Sequence, residues 1–364
     1  MAAVHQFLAT LEPGATGQHA LLVQRALRNA GFESEMFAEF IAPEWADRGF
    51  HHSEYGGAVP VRRGDVLVYQ MSTGSNVAEY VRLRSETLIV NYHNFTPPEY
   101  FAQWEPAVVH GIEWGRHQRT QLADRAVLGI GDSAYNERDL VEAGYRRTAV
   151  CPVLIDPSTF LCTPSPAVVA ELDAAKQAGG IDLLFVGRIA PNKCQHDLVK
   201  VLAAYRRAYD PNARLRIVGG SSADRYRDAV ARYAAELGLA EAVELSGSVD
   251  GDTLAAYFDR ADVFASMSEH EGFCVPVIEA MHHGVPVVAY SAAAVPETLG
   301  DAGIVLDTKS PERFAAAIHQ VVGDRTLRDS LVAAGSVRAQ DFAIDRTSAQ
   351  MVELIREVVD GVPA

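Results

Sequence analysis

Residues 268–290 read SEHEGFCVPVIEAMHHGVPVVAY, and this stretch decides how the chain is folded. An apolar run, Ala261–Met267, leads into it as a strand. Gly272 breaks the chain. Pro276 suits the first turn of a helix, where its missing N–H leaves no bond unmade. Val277, Ile278, Ala280 and Met281 give that helix an apolar face. His282 and His283 stand in its last turn, and Gly284 is placed to cap it. Pro286–Tyr290 opens the next strand. A strand–loop–helix–strand unit of this kind takes ligands at the carboxyl ends of its strands.

Two carboxylates give the stretch its chemistry. Glu271 lies in the loop. Glu279 lies one turn into the helix, and helical side chains lean toward the N-terminus, so it points back at the loop. The amides of Phe273, Cys274 and Val275 open the helix and suit an anion. Carboxylates beside an anion pocket point to a ligand with both phosphates and hydroxyls, such as a nucleotide sugar. The plainer account makes Glu271 a solvated loop charge and Glu279 a partner of the helix dipole.

Upstream, Ile181–Val186 is a buried strand, and Gly187-Arg188-Ile189-Ala190-Pro191-Asn192-Lys193 leaves it toward a helix. Two cations at a strand end suit a diphosphate leaving group, which needs positive charge as its bond breaks. Two surface cations at a turn are the plain alternative. Arg214–Gly220, Asp224–Leu237, Val243–Ser246 and Asp252–Arg260 then alternate strand and helix, which predicts a parallel sheet. Ile304–Leu306 and helices over Pro311–Val322, Thr326–Ala334 and Arg346–Val359 complete this half.

The first half alternates too. Strands are expected at Val4–Ala9, Phe32–Phe37, Asp65–Gln70, Thr87–Tyr92, Val127–Ile130 and Thr148–Leu154. Helices are expected from the LEPGATG loop to Asn29, and at Ala78–Arg84, Glu99–Ala126 and Asn136–Gly144. His51–Arg63 reads as a loop. Gly14 and Gly17 precede a helix and could cradle phosphate, though ordinary turns use glycine too. His93 ends a parallel strand, where sites collect. Arg116, His117, Arg119 and Arg125 mark a helix that is either a solvated face or a patch for an acceptor phosphate or a membrane surface. Asp156–Ala167, with Pro157, Pro164 and Pro166, has linker composition.

The EGF-x-x-P-x-x-EAM frame, its Gly-x-Pro-Val-Val exit and the seven residues between Glu271 and Glu279 resemble the donor-site signature of the retaining glycosyltransferases of family 4. The run GDSAYNERDLVEAGYRRTAVCPVLID and the G-R-x-x-x-x-K motif are similar to that family as well. The resemblance implies the GT-B architecture: an α/β fold of two doubly wound, Rossmann-like parallel-sheet domains facing across a cleft. The expected division is an acceptor-side domain at 1–160 and a nucleotide-sugar domain at 161–345, with the helix of 346–364 crossing back to the first.

The same resemblance implies residue roles. Glu279 binds the nucleotide ribose, and Glu271 contacts the transferred sugar. Gly272, Phe273, Cys274 and Val275 hold sugar and phosphate. Arg188 and Lys193 hold the diphosphate. Backbone near Gly219 and Val249 borders the base. His93 lies near the donor sugar, and the loop of Gly14 and Gly17 lies between diphosphate and acceptor. The implied reaction moves a hexosyl unit from a UDP-, GDP- or ADP-sugar to a hydroxyl of a sugar, lipid-linked or natural-product acceptor, with retention. The histidines are not paired with carboxylates at ligand spacing, and cations and amides can neutralise the diphosphate, so no metal or other cofactor is expected. A sugar phosphorylase, a nucleotide-sugar epimerase and a silent nucleotide-sugar binder are the competing readings.

Composition agrees with a globular enzyme of two domains. The chain has 364 residues, 48% hydrophobic and 22% charged, as ordered domains do. A net charge of −15 argues against nucleic acid as main partner. No apolar run is long enough for a membrane span. The N-terminus lacks a basic start and reads as a first buried strand rather than a signal peptide. Cys151, Cys162, Cys194 and Cys274 are scattered and read as reduced thiols. A cytoplasmic location, up to the inner face of a membrane, is the expectation.

Overall fold

Runs such as Val66–Met71 and Thr87–Tyr92 are buried along nearly their whole length. Strands apolar on both faces belong in parallel sheets covered by helices on each side. The computed structural model, which describes residues 3–221 and 224–361, has two such sheets. The chain divides into two units: residues 1–102, 106–156 and 342–364 in the first, residues 103–105 and 157–341 in the second.

In the first unit, β1 (Val4–Leu11), β2 (Met36–Ile41), β3 (Phe50–His51), β4 (Val66–Met71), β5 (Thr87–Tyr92), β6 (Ala126–Gly131) and β7 (Thr148–Val150) pair in the order β3-β2-β1-β4-β5-β6-β7, all parallel. Its helices are α1 (Ala15–Asn29), α2 (Asn76–Arg82), α3 (Pro106–Ala123) and α4 (Ala134–Glu142). The second unit has α5 (Pro166–Gln177), β8 (Asp182–Val186), α6 (Gln195–Ala208), β9 (Arg214–Val218), α7 (Asp224–Glu236), β10 (Val243–Gly247) and α8 (Gly251–Arg260). It continues with β11 (Val263–Ser266), α9 (Val275–His282), β12 (Val287–Tyr290), α10 (Val295–Leu299), β13 (Gly303–Leu306), α11 (Pro311–Gly323) and α12 (Arg325–Ala339). Its strands pair in the order β10-β9-β8-β11-β12-β13, again parallel. The last helix, α13 (Ile344–Asp360), returns to the first unit, where Met351, Ile355 and Val358 pack with Val4, Val23 and Val68.

The strand pleat sorts side chains to alternate faces. On β8, Leu183 and Phe185 enter the core under α6 and α11, while Leu184 enters the opposite core with α8 and α9. Strand order reverses between β1 and β4, and between β8 and β11. Loops diverge at such switch points and leave a crevice at the carboxyl ends.

One glycine fixes how tightly the second crevice is built. Gly219 has φ +145, and a Cβ there would lie 2.2 Å from the Gly187 carbonyl oxygen. Gly219→Ala should therefore destabilise the protein by roughly 3 kcal/mol, from backbone strain plus overpacking. A urea midpoint within error of wild type would count against this close approach.

Several elements differ from the sequence expectation. The second strand is Met36–Ile41 rather than Phe32–Phe37: Glu33 pairs with Ala3 only as an isolated parallel bridge, and the Ser34 carbonyl is taken by the α1 side chains Gln24 and Arg28, each at 3.0 Å. The helix expected over Glu99–Ala126 is a short turn at Pro98–Tyr100 followed by α3 from Pro106. Between them, Trp104 packs on the core of the second unit. Pro166, expected in the linker, opens α5. Among the described residues, no helix is long and apolar enough to cross a membrane.

Candidate active site

The second switch point gathers most of the expected site. Gly187 donates to Val218 O at 2.9 Å and Ile189 to Gly220 O at 2.8 Å, which binds the β8 exit to the β9 exit. Arg188 is exposed there. Gln195, fully buried at the start of α6, donates through Nε2 to the Arg188 carbonyl at 3.0 Å and fixes the loop.

The β8 and β11 exits are stitched together. The Glu269 amide donates to Asn192 O at 2.9 Å, and Asn192 Nδ2 donates to His270 O at 3.0 Å. Lys193 Nζ then meets Glu271 Oε2 at 2.5 Å, both side chains being largely buried. The ammonium and carboxylate assigned to different parts of one ligand thus neutralise each other here.

Cys274 precedes α9 in a left-handed conformation, φ 75. Its thiol is pushed far up by burial and by the Glu271 carboxylate, so it is no nucleophile at neutral pH. Gly272 and Phe273 lie in the same loop, and Phe273 O accepts from the buried Thr298 hydroxyl. Val275 begins α9. Glu279 sits one turn on, partly exposed, and among the described residues no side chain pairs with it. Desolvation alone pushes its carboxyl up to about 7. Val249, after β10, packs on the α8–α9 core.

The first unit holds the remaining expected residues. Gly14 caps α1. At Gly17 a Cβ would lie 2.1 Å from Glu12 O, so the loop tolerates no side chain there. His93 is caught in a buried polar chain. Its Nδ1 meets Asp132 Oδ2 at 2.8 Å and its Nε2 meets Gln70 Oε1 at 2.7 Å. Gln70 Nε2 donates to Gln6 Oε1 at 2.7 Å, and Gln6 Nε2 to Ala20 O at 2.9 Å. Both His93 nitrogens therefore have protein partners.

His19 stacks edge-on against His93, ring centres 5.1 Å apart. Its Nδ1 accepts from the Leu154 amide at 3.0 Å, and its Nε2 meets Asn91 Oδ1 at 3.0 Å, which fixes the neutral ring. Burial, then the neighbouring His93, lowers its pKa to about 4. Unfolded, the ring takes a proton near 6.5; folded, it refuses one until about 4. Its share of stability is whole above pH 6.5 and is lost as pH falls toward 4, about 3 kcal/mol in all. A His19→Gln variant should show a flatter fall in melting temperature over that window. Parallel pH curves would contradict this.

The basic face of α3 is partly consumed inside the unit. Arg119 binds Tyr92 Oη at 2.8 Å and Asp139 Oδ2 at 2.7 Å, and Arg125 binds the Arg84 and Glu86 carbonyls. Arg119 on α3 and Arg125 just past its end are thus structural, which leaves Arg116 and His117 of the expected acceptor or membrane patch. The chain contains an Asp-x-Asp triplet, Asp250-Gly251-Asp252, at the start of α8. Asp250 caps α8, accepting from the Thr253 amide at 2.9 Å.

Residues the sequence reading missed are the supports: Asn192, Gln195, Asp197, Glu269 and Lys309 in the second unit, and Gln6, Gln70 and Asp132 in the first. Cys194, Asp197 and Glu269 bring ligand atoms within 4.8 Å of one another. Lys309 Nζ lies among them, 2.5 Å from Asp197 and 2.9 Å from Glu269. The signal available was scarcity, since the chain has four lysines.

Residues 173–338 match the family model described as glycosyl transferases group 1. The D-inositol 3-phosphate glycosyltransferase of Geodermatophilus obscurus is 33% identical over 248 residues, 65% of this chain and 53% of the relative. A GDP-mannose-dependent alpha-(1-6)-phosphatidylinositol monomannoside mannosyltransferase of Mycobacterium tuberculosis is 33% identical over 205 residues, 53% of this chain and 52% of the relative. The chain spans little more than half the length of these curated relatives. The crystal structure of Anabaena HepE with UDP and glucose has a TM-score of 0.78 at 19% identity, covering 98% of this chain and all of that one. The fold is thus of the GT-B class, with two Rossmann-like α/β units, and residues 173–338, which contain Arg188, Lys193, Glu271 and Glu279, carry the likeness to group 1 glycosyl transferases.

Proposed function

We propose that this protein is a retaining glycosyltransferase that moves a hexosyl unit from a nucleoside diphosphate sugar to an acceptor hydroxyl without a metal. The observation that carries the reading is the Lys193–Glu271 pair at the β8/β11 switch point, inside the stretch that matches group 1 glycosyl transferases. Lys193 and Arg188 take the diphosphate, and the first turn of α9 adds its dipole. Glu271 accepts from sugar hydroxyls and Glu279 from the ribose. Gly219 and Val249 border the base. Gly14, Gly17 and His93 keep the roles implied by the resemblance.

The chemistry is a same-face displacement. The bond from the anomeric carbon to phosphate oxygen breaks as the bond to the acceptor oxygen forms. The departing phosphate takes the acceptor proton, and its charge is met by Lys193 and Arg188. The names of the relatives make an inositol phosphate or a phosphatidylinositol glycolipid the first acceptors to try.

Thermal shift against UDP-, GDP- and ADP-sugars tests the donor, because a specific ligand stabilises the folded state by mass action. Anomeric proton couplings in the product test retention, and an inverted product sinks it. Activity should survive EDTA; a strict divalent requirement sinks the metal-free reading. Donor cleavage by inorganic phosphate, or epimerisation without acceptor, would identify one of the other enzyme classes. Binding without transfer would identify a silent binder.

A further inference from the structure

Lys309 follows the carboxyl end of β13 and reaches back to the first turn of α6 and to the loop after β11. Its ammonium is 2.5 Å from Asp197 Oδ2 on α6, 2.9 Å from Glu269 Oε1 after β11, and 5.5 Å from the centre of the Tyr290 ring. The Cys194 thiol lies beside it. Lys200 covers the other oxygen of Asp197 at 2.8 Å. The side chains of Lys309 and Asp197 are 18% and 12% exposed, so this is not a solvated surface pair. Cys194 follows Lys193 in the chain, and Glu269 stands two residues before Glu271. The cluster therefore joins the two segments that carry the site's ion pair. Without the ammonium, Lys200 would still cover one oxygen of Asp197, but Glu269 would lose its cation and the two carboxylates would face one another across a few ångströms, which loosens the join between the segments.

We propose that Lys309 is a positioning residue, the resident cation of a three-ligand seat formed by Cys194, Asp197 and Glu269, and that it sets the register of Lys193 against Glu271. Oxygen and sulfur donors within 4.8 Å of one another form a seat that a soft divalent ion also fits. The ammonium does the work of such an ion without the ion. The effect on donor binding rests on the glycosyltransferase reading; the cation seat does not.

The test uses the full chain and its K309A, K309R and K309A/C194S variants. The donor is whichever of UDP-glucose, GDP-mannose and ADP-glucose stabilises wild type. K309A should weaken donor binding at least tenfold, on the scale of a lost charged contact, while K309R keeps affinity within about threefold. In an E271Q background the K309A loss should largely vanish, because the residue acts through Glu271. A merely structural lysine would lower the melting temperature equally in both backgrounds and leave the donor loss additive.

Cadmium supplies an independent arm. K309A should bind one Cd²⁺ with thiolate-to-metal ultraviolet absorption, absent from wild type and from K309A/C194S, and the metal should recover part of the donor affinity. Unchanged donor affinity in K309A, or an additive loss with E271Q, overturns the positioning role. Failure of Cd²⁺ to bind overturns the seat. Should K309A not fold, K309M fills the same volume and carries the same measurements. If wild type binds none of the three nucleotide sugars, the donor reading fails, while the cadmium titration still decides whether the seat exists.

Discussion

Lys193→Ala is expected to lower kcat by about 10²-fold, the scale found when one preorganised group facing a developing oxyanion is removed. It should also destabilise the folded protein, because Glu271 would be left largely buried with no cation. The two effects separate in a double variant. Lys193→Met with Glu271→Gln removes both charges, so the melting temperature should recover while turnover stays low. Steady-state kinetics beside a thermal melt measure both. Near-normal turnover of Lys193→Ala would remove the residue from the diphosphate. Arg188→Ala should lower kcat at least tenfold with little change in stability, since that side chain is exposed.

Glu279→Gln should bring the second large effect, and pH sets its sign. Desolvation raises this carboxyl from its ordinary 4.5 to about 7. The folded state thus holds a proton that the unfolded chain has released above 4.5. The contribution to stability is whole below pH 4.5 and lost as pH rises through 7. The cost at pH 8 is about 3 kcal/mol. The glutamine variant should therefore melt higher than wild type at pH 8 and no higher at pH 4. Donor binding should respond in the opposite sense. Ribose hydroxyls donate best to the ionised form, so wild-type affinity should rise between pH 6 and 8. The variant should bind more weakly and show a flat profile. A donor affinity in Glu279→Gln that still climbs through neutrality would place the titrating group elsewhere.

The stability windows of Glu279 and His19 overlap with opposite signs. Acid weakens the protein at His19 and relieves it at Glu279. A wild-type pH curve alone would show little of either, so each variant is read against wild type.

The sequence was most legible where one residue type has one use. Pro276 and Gly284 bracket the helix found at α9, and the run through Leu183–Phe185 left no doubt of a buried strand. It was less legible where two structures share a composition. Pro166 looks like linker and is also an ideal opening residue for α5. Helical period carried the expected third helix of the first unit back to Glu99, because periodicity does not register that Trp104 is drawn away to another core. In the site, the motif residues were visible because their spacing is distinctive. Asn192, Gln195 and Lys309 were not, because what they bind is backbone or a distant side chain, and no local pattern records a partner many residues away.

The four cysteines offer an unplanned handle. Cys151, Cys194 and Cys274 are buried, whereas Cys162 is partly accessible, just past the point where the chain passes from the first unit to the second. A maleimide dye offered to the native protein should therefore attach at one place. That single fluorophore would report from the connecting segment, so a change in its surroundings on adding donor would be read as an emission signal without engineering a cysteine-free background.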